Sequence, residues 1–244
     1  MEQHVIGATA AIMPGDATDT ETAPRLPPVT VGPYSLRLAA AKGDAAAQFE
    51  VASRIAEGRG ADKDLKEAAQ WYQRSASSGF ALSQFRLGTF YERGTGVAKD
   101  LARAQVWYGR AAEQGNVKAM HNLAVMIVGH GGAKPDYATA VKWFTQAANY
   151  GLADSQYNLA MLYENGLGVP KDATEAFKWM VLAANSGDKE AKSRRDALRA
   201  KLTSDDLAAA TVAIETWRGK RSDPVVNDSR FAAQAWKRPR STNG

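Results

Sequence analysis

The sequence predicts an all-α fold, an α/α solenoid or superhelix built from helix-turn-helix repeats with a 36-residue period. Tryptophan, glycine and aspartate each recur at that interval, and the register holds across about 145 residues. A period of this length is typical of repeat arrays, in which each unit buries its apolar face only against its neighbours. The recurring residues are Trp71, Trp107, Trp143 and Trp179; Gly43, Gly79, Gly115, Gly151 and Gly187; and Asp64, Asp100, Asp136 and Asp172.

Residues 1–32 are predicted to form a disordered linker. Thr, Pro, Ala and Asp dominate this stretch, and its prolines oppose regular structure. Pro33 stands where a helix can begin, and Gly43 stands where that helix would end. We therefore expect a short N-terminal cap helix over 33–43, as the first element of a repeat solenoid that extends over 33–217.

Four full repeats follow, and each is predicted to contain a first helix, a glycine-rich turn, a second helix and a terminal glycine. In the last unit, Gly166 would end the first helix in the left-handed conformation that other residues resist. Asp172 can then cap the second helix by accepting backbone N–H bonds. Trp179 and its equivalents are predicted to lie in the core. The four repeats are 44–79, 80–115, 116–151 and 152–187.

Beyond Gly187 the repeat pattern weakens. Residues 188–217 are predicted to form a divergent C-terminal pair of helices with a polar outer face, as the end of a repeat stack requires. Residues 218–244 are predicted to be a basic, flexible tail, because they hold seven Lys or Arg and two Asp and thus account for the net charge of +5. A basic stripe along the body is lacking, so we expect no nucleic-acid partner.

The chemistry-bearing motifs of common enzymes are missing from the sequence. The chain has no cysteine, which excludes thiolate metal sites and cysteine nucleophiles. It has neither His-Glu-x-x-His nor Gly-x-Ser-x-Gly, and its Gly-x-Gly pairs follow helices rather than strands, so we interpret them as turns. His130 is interpreted as a turn residue rather than a metal ligand. We therefore expect no enzyme activity, no cofactor and no metal.

A groove is the better candidate for function. In stacked helix pairs of this kind the first helices line the concave side, and the repeat register places equivalent residues in rungs across it. An aromatic rung beside polar rungs suits capture of a protein or peptide partner, although Phe49 and Phe85 can instead pack between repeats. The predicted groove residues are Phe49, Phe85, His121 and Tyr157; Glu50, Arg86, Asn122 and Asn158; Ser53, Thr89, Val125 and Met161; and Glu57, Arg93 and Asn165.

Two segments, Ala81 to Trp107 and Ala153 to Trp179, share a detailed pattern of alanine, leucine, tyrosine, glycine, aspartate and tryptophan. In both, Gly-x-Gly-Val-x-x-Asp precedes the alanine and tryptophan of the second helix. This pattern resembles the Sel1-like repeat, a relative of the tetratricopeptide repeat, over about residues 36–217. The resemblance implies an α/α solenoid that serves as an adaptor or scaffold.

A finer resemblance is carried by residues 26–33, 48–52 and 116–124. These segments look like the C-terminal part of alphaproteobacterial polar localisation factors of the PodJ type. The resemblance implies that the chain is the periplasmic part of a longer, single-span inner-membrane protein. The sequence itself has no apolar run of about 18 residues and lacks the pattern of a signal peptide, so the cytoplasm is the alternative compartment.

Two other functions stay open at the level of sequence. The chain can be a periplasmic Sel1-like regulator that inhibits a sensor kinase. More remotely, it can be an enzyme that binds or hydrolyses β-lactams, as linked to some cysteine-rich Sel1-like proteins, although it has neither cysteine nor a nucleophile motif. The sequence names no particular partner and leaves the oligomeric state open.

Overall fold

The structure, a computed structural model, describes residues 26–129 and 134–237, and every element in these ranges is helical. The predicted all-α solenoid is thus confirmed. Short 3-10 turns at Val29–Val31 and Ala235–Lys237 flank the helices. The helices are α1 (Tyr34–Ala41), α2 (Ala45–Glu57), α3 (Leu65–Ser77), α4 (Ala81–Arg93), α5 (Leu101–Glu113), α6 (Val117–Gly129), α7 (Tyr137–Asn149), α8 (Ala153–Asn165), α9 (Ala173–Ala184), α10 (Lys189–Arg199), α11 (Ser204–Thr216), α12 (Pro224–Asn227) and α13 (Ser229–Ala232).

The helices stack in chain order. From α1 to α10 each helix packs against the next, and α11 folds back onto α9. The buried side chains form three adjoining clusters along the stack rather than one central core. Within the described ranges, no helix combines the length and the apolar character that crossing a membrane would need.

The recurring aspartates explain the period of the second helices. Each of Asp64, Asp100, Asp136 and Asp172 is an N-cap whose carboxylate accepts a backbone N–H bond from the first turn of the following helix. Such a cap satisfies donors that have no partner within the helix. The 36-residue interval therefore repeats a helix start, and with it the placement of the residues that follow.

The tryptophans lie about two turns into the second helices. Trp71, Trp107 and Trp179 are at most 6% exposed, and Trp143 is half-buried. The indole N–H of Trp179 donates to Glu175 Oε2 at 2.9 Å, so burial leaves this donor paired. The predicted core role of the tryptophans is borne out for these three buried rings.

The N-terminal linker is shorter than predicted. Residues 26–32 were expected to be disordered, but Val31 is 1% exposed and packs in the first core cluster. Its carbonyl accepts a bond from Arg54 Nη1 at 3.1 Å, and the carbonyl of Pro27 accepts one from Arg37 Nη1 at 3.0 Å. Two arginines of α1 and α2 therefore fix this segment. The rest of the linker lies outside the described residues.

The C-terminal tail differs most from the prediction of a flexible segment. Residues 218–237 run back along the stack, and the backbone N–H of Lys220 donates to the carbonyl of Asn149 at 2.7 Å. Helix α12 packs on α4, while α13 and the last 3-10 turn pack on α2. Apolar side chains near the end of the tail explain this course, because Ala232 is fully buried in the first core cluster.

Candidate functional site

The aromatic rung of the predicted groove faces inward at its N-terminal end. Phe49 has no exposed surface, and its ring centroid lies 5.9 Å from that of Tyr72 and 5.4 Å from that of Phe80. Phe85 is half-buried, 5.9 Å from the ring of Tyr108. Phe49 is therefore a core residue, not a groove residue, because this position points at the second helix of its own repeat.

Ser53 and Thr89 are partners of buried tyrosines. Ser53 Oγ lies 3.0 Å from Tyr72 Oη, and Tyr108 Oη donates to Glu92 Oε2 at 2.6 Å, with Thr89 Oγ1 at 3.1 Å. Burial raises the pKa of both tyrosines. An unpaired buried hydroxyl costs about 1–3 kcal/mol. Ser53 and Thr89 therefore stabilise the fold by pairing with the tyrosines, and their hydroxyls are not available to a binding partner.

An open cleft of about 340 Å³ lies over the C-terminal half of the first-helix face. Tyr157 Oη donates to Glu190 Oε1 at 2.7 Å across it. Three carboxylates and an amide face the cleft and offer hydrogen-bond acceptors to an incoming segment. Part of their charge is already compensated, because Glu190 Oε1 lies 3.5 Å from Arg194 Nε and Asp188 caps α10. The polar groups are contributed by His121, Asp154, Tyr157, Asn158, Asp188 and Glu190.

His121 stands at the floor of this cleft. Its Nδ1 lies 2.9 Å from Ser155 Oγ, and its ring packs at 5.7 Å from the ring of Phe144. Burial lowers the pKa of His121 below its ordinary value, while the charge of Asp154 opposes this effect. At neutral pH the imidazole is therefore uncharged, and it acts as a hydrogen-bonding group and a half-buried ring.

A second cavity, of about 470 Å³, lies between α2 and the tail. Glu50, Ser53 and Glu57 line it from the solenoid side, and Trp236 lines it from the tail side. Glu50 is 5% exposed, and its Oε1 pairs with Arg54 Nε at 2.5 Å. Its Oε2 is buried and has no hydrogen-bond partner within the protein. This half of the predicted groove is thus covered by the chain itself.

The remaining predicted residues lie between the cavities or at helix ends. Half-buried side chains follow the face of α4, α6 and α8, and exposed ones mark the ends of α4 and α8. The amide of Asn165 donates to the carbonyl of Met161 at 2.8 Å, which fixes one of the exposed groups. The half-buried residues are Arg86, Asn122, Val125 and Met161, and the exposed ones are Arg93 and Asn165.

Sequence reasoning missed the acidic residues of the open cleft. Asp154 lies one turn before Tyr157 on α8, a spacing that places both on one face. Asp188 and Glu190 come from the start of α10, and Glu190 stands 36 residues after Asp154, so it keeps the register of the repeats. All three positions were thus within reach of the pattern, but only a search for carboxylates one turn before the aromatic positions would have found Asp154 and Glu190. Across the described ranges, no three His, Asp or Glu side chains converge as a metal site would require, and His130 lies outside these ranges.

Comparisons with known proteins agree with the repeat architecture. The sequence profile of the Sel1 repeat matches residues 45–80, 81–116, 117–151 and 153–188. A solved Sel1 repeat protein from Oxalobacter formigenes is similar, with 35% identity, 64% of each chain covered and a TM-score of 0.60. The protein c5321, described as a protective antigen of uropathogenic Escherichia coli strains with an SLR fold, shares 24% identity over 84% of this chain and 50% of its own, at a TM-score of 0.48.

The chain thus spans 64% and 50% of the lengths of these two solved proteins. A comparison with curated proteins gives no match. Proteins built from Sel1 repeats generally mediate protein–protein interactions and are typically non-catalytic scaffolds. The four matched segments follow the four helix pairs α2–α3, α4–α5, α6–α7 and α8–α9 and cover more than half of the residues. The chain therefore belongs to the Sel1 repeat family.

Proposed function

We propose that this chain is a non-catalytic scaffold that binds a partner protein through its first-helix face, as the periplasmic module of a factor that organises the cell pole. The observation that supports docking most directly is the open cleft over α6 and α8, in a family whose members generally mediate protein–protein interactions. The polar role and the periplasm are supported by the sequence resemblance at residues 26–33, 48–52 and 116–124.

The chemistry of the cleft suits a peptide segment that brings N–H donors or positive charge. Asp154, Asp188 and Glu190 supply carboxylates, and all three are exposed. Asn158 adds an amide that can donate and accept at once, as peptide recognition requires. Tyr157 adds an aromatic ring, over which Arg194 lies on one side at 6.0 Å, and aromatic rings contribute much of the energy of protein interfaces.

The proposal is tested by replacing Asn158 with arginine in the tagged protein, expressed in the organism that encodes it. The bulky cation fills the cleft and reverses part of its charge, so we expect capture of the cross-linked partner to fall at least tenfold. In the same cells, the polar focus of that partner should be lost. Mass spectrometry of the captured material and fluorescence microscopy give the two measurements.

Gln146→Arg is the matched control, because it adds the same charge at an exposed residue of α7, a second helix. It should retain both partner capture and the polar focus. Equal capture by both variants and the unmodified protein would show that docking does not use the cleft. Normal capture by the control with a partner spread evenly around the cell would remove the polar part of the proposal and keep the scaffold.

A further inference from the structure

The C-terminal tail is seated on the solenoid in the manner of a bound peptide. It leaves α11 at the last helix pair and passes the end of α7, where the N–H of Lys220 is bonded to Asn149. It then reaches the turn before α6 and ends over α2. The tail thus runs antiparallel to the order of the repeats and covers the N-terminal half of the groove, while the C-terminal cleft stays open.

One asparagine anchors the middle of the tail. Asn227 Oδ1 accepts the backbone N–H of Val117 at 2.8 Å, and Asn227 Nδ2 donates to the carbonyl of Gly115 at 3.1 Å. In return, Asn116 Nδ2 donates to the carbonyl of Val226 at 2.6 Å. The first of these bonds satisfies a backbone N–H in the first turn of α6 that the helix itself leaves unpaired, and the other two tie the tail to the turn before it. A side-chain amide recognised in this way gives the site a preference for sequence.

Asn116 makes this anchor specific to one turn of the stack. The equivalent position before α4 is Phe80 and that before α8 is Leu152, and neither can donate a side-chain bond. The turn between the second and third repeats is therefore the place where the solenoid can hold a peptide carbonyl by this route.

Five residues after Asn227, a small side chain enters the core. Ala232 is fully buried, in one cluster with Leu36 and Phe49. Four residues later, Trp236 packs against the same cluster and faces the cavity that Glu50 lines. The tail therefore presents an asparagine to the turn before α6, and a small apolar residue and a tryptophan to the core cluster at α2, at fixed spacing.

The fit of the tail is incomplete. Trp236 Nε1 and Glu50 Oε2 are buried without hydrogen-bond partners, and a cavity of about 470 Å³ separates tail and helix. Buried polar groups are almost always paired. The tail therefore forgoes the stabilisation that hydrogen bonds to these two atoms would add. Within the described ranges, the ion pair of Arg230 is made with Asp228 of the tail itself, and charge does little to hold the tail in place.

We propose that the N-terminal half of the groove is a docking site for a peptide segment with asparagine, a small apolar residue five positions on and tryptophan four positions further, and that the chain's own tail fills it in cis. A partner segment of this chemistry gains access by displacing the tail. The inference rests on the proposed scaffold function, but it concerns a different half of the groove and is tested without the cellular partner.

The test measures binding of a fluorescent synthetic peptide, residues 221–237 of this chain, to the full-length protein. Ala232→Asp places a charge in an apolar site and should release the cis tail. We expect this variant to bind the peptide at least tenfold more tightly than the unmodified protein, because apparent affinity scales with the fraction of open sites. Fluorescence anisotropy reports the affinity.

Ser222→Asp is the matched control, because it adds the same charge at an exposed position of the tail and should bind as weakly as the unmodified protein. Asn227→Ala is a second releasing variant that adds no charge and alters nothing in the solenoid. A peptide that carries both the Asn227→Ala and Ala232→Asp changes should not bind.

Two results would overturn the inference. Equal affinity for the unmodified protein and both releasing variants would show that the cis tail does not limit access. Failure of the peptide to bind either variant, with helical content unchanged by circular dichroism, would show that the surface is not a peptide site. Loss of capture by Asn158→Arg in cells bears on neither result, so this inference and the proposed function can fail separately.

Discussion

Single residues on the first helices have two different roles, which depend on the residue opposite them. Tyr72 and Tyr108 bring buried hydroxyls to the groove side, and Ser53 and Thr89 supply their bonds. In the third repeat the residue equivalent to these tyrosines is Phe144, which needs no partner. In the first two repeats these groove residues are thus occupied by the tyrosine hydroxyls. From the third repeat onward the second helix presents no such hydroxyl, and the first-helix residues opposite it can contact a partner.

The burial of His121 is measurable through the pH dependence of the free energy of unfolding. Burial lowers its pKa in the folded state below the unfolded value of about 6.5. Above that pH the imidazole is neutral in both states and contributes no pH dependence. As the pH falls through this value, the unfolded chain takes up the proton first, so the free energy of unfolding decreases until the folded pKa is passed.

We expect His121→Gln to remove this part of the pH dependence. Urea denaturation between pH 5 and 7.5 gives the free energy of unfolding for both proteins. His4 and His130 are present in both, so the difference between the two curves isolates His121. Parallel curves would contradict the lowered pKa of His121.

A residue's role could be predicted from the sequence when that role depends only on the residue's own repeat. The tryptophan, aspartate and glycine positions could be predicted, because each performs the same task in every repeat. The pairing of Ser53 with Tyr72 was also within reach of the sequence, since a hydroxyl recurs opposite each tyrosine at a spacing of 19 residues. The sequence alone could not decide whether Phe49 is buried or exposed, because an aromatic residue suits both a core and a docking face.

Among the elements, the glycine-rich turns do more than end helices. The second glycine of each Gly-x-Gly pair lies against the start of the second helix in the preceding repeat or, in the first repeat, against the N-terminal segment. A Cβ at Gly96 would overlap the carbonyl of Leu65, and one at Gly168 would overlap the backbone of Tyr137. The turns are thus contact points between repeats, which a pattern of helix-ending glycines does not reveal.

Gly94 and Gly96 give a matched test of this role. Both have a φ of +68°, so alanine at either position incurs left-handed strain of about 1–2 kcal/mol. Only Gly96→Ala also forces a side chain into backbone, since the nearest atom to a Cβ at Gly94 is the Lys99 side chain at 3.2 Å. We expect Gly96→Ala to be less stable by about a further 1–3 kcal/mol in urea denaturation. Equal losses would show that the turns do not set the repeat spacing.

The tail was the element that sequence could not place. Its two helical turns of four residues are too short for a periodic pattern, and its basic composition is typical of a solvated end. The bonds that anchor Asn227 connect residues at least 110 positions apart. Such contacts depend on the finished shape of the solenoid, which local propensity does not encode.

The groove has two halves, of which one is covered by the chain itself and the other is open. The N-terminal half is filled by the chain's own tail, and the C-terminal half is an open acidic cleft. A stack in which each repeat contacts only its neighbours can keep the two halves independent, because no common core couples them. A partner can therefore bind the open half first and compete for the covered half afterwards.

A photo-cross-linking scan of the full-length protein in its own cells distinguishes docking on the first helices from docking on the second helices. A cross-linker is placed in turn at exposed or half-buried positions of α2, α4, α6 and α8, and at matched positions of α3, α5, α7 and α9. We predict partner adducts from α6 and α8, with adducts from α2 and α4 appearing when Ala232→Asp releases the tail. Adducts confined to the second helices, in either background, would contradict the claim that the first-helix face is the docking surface.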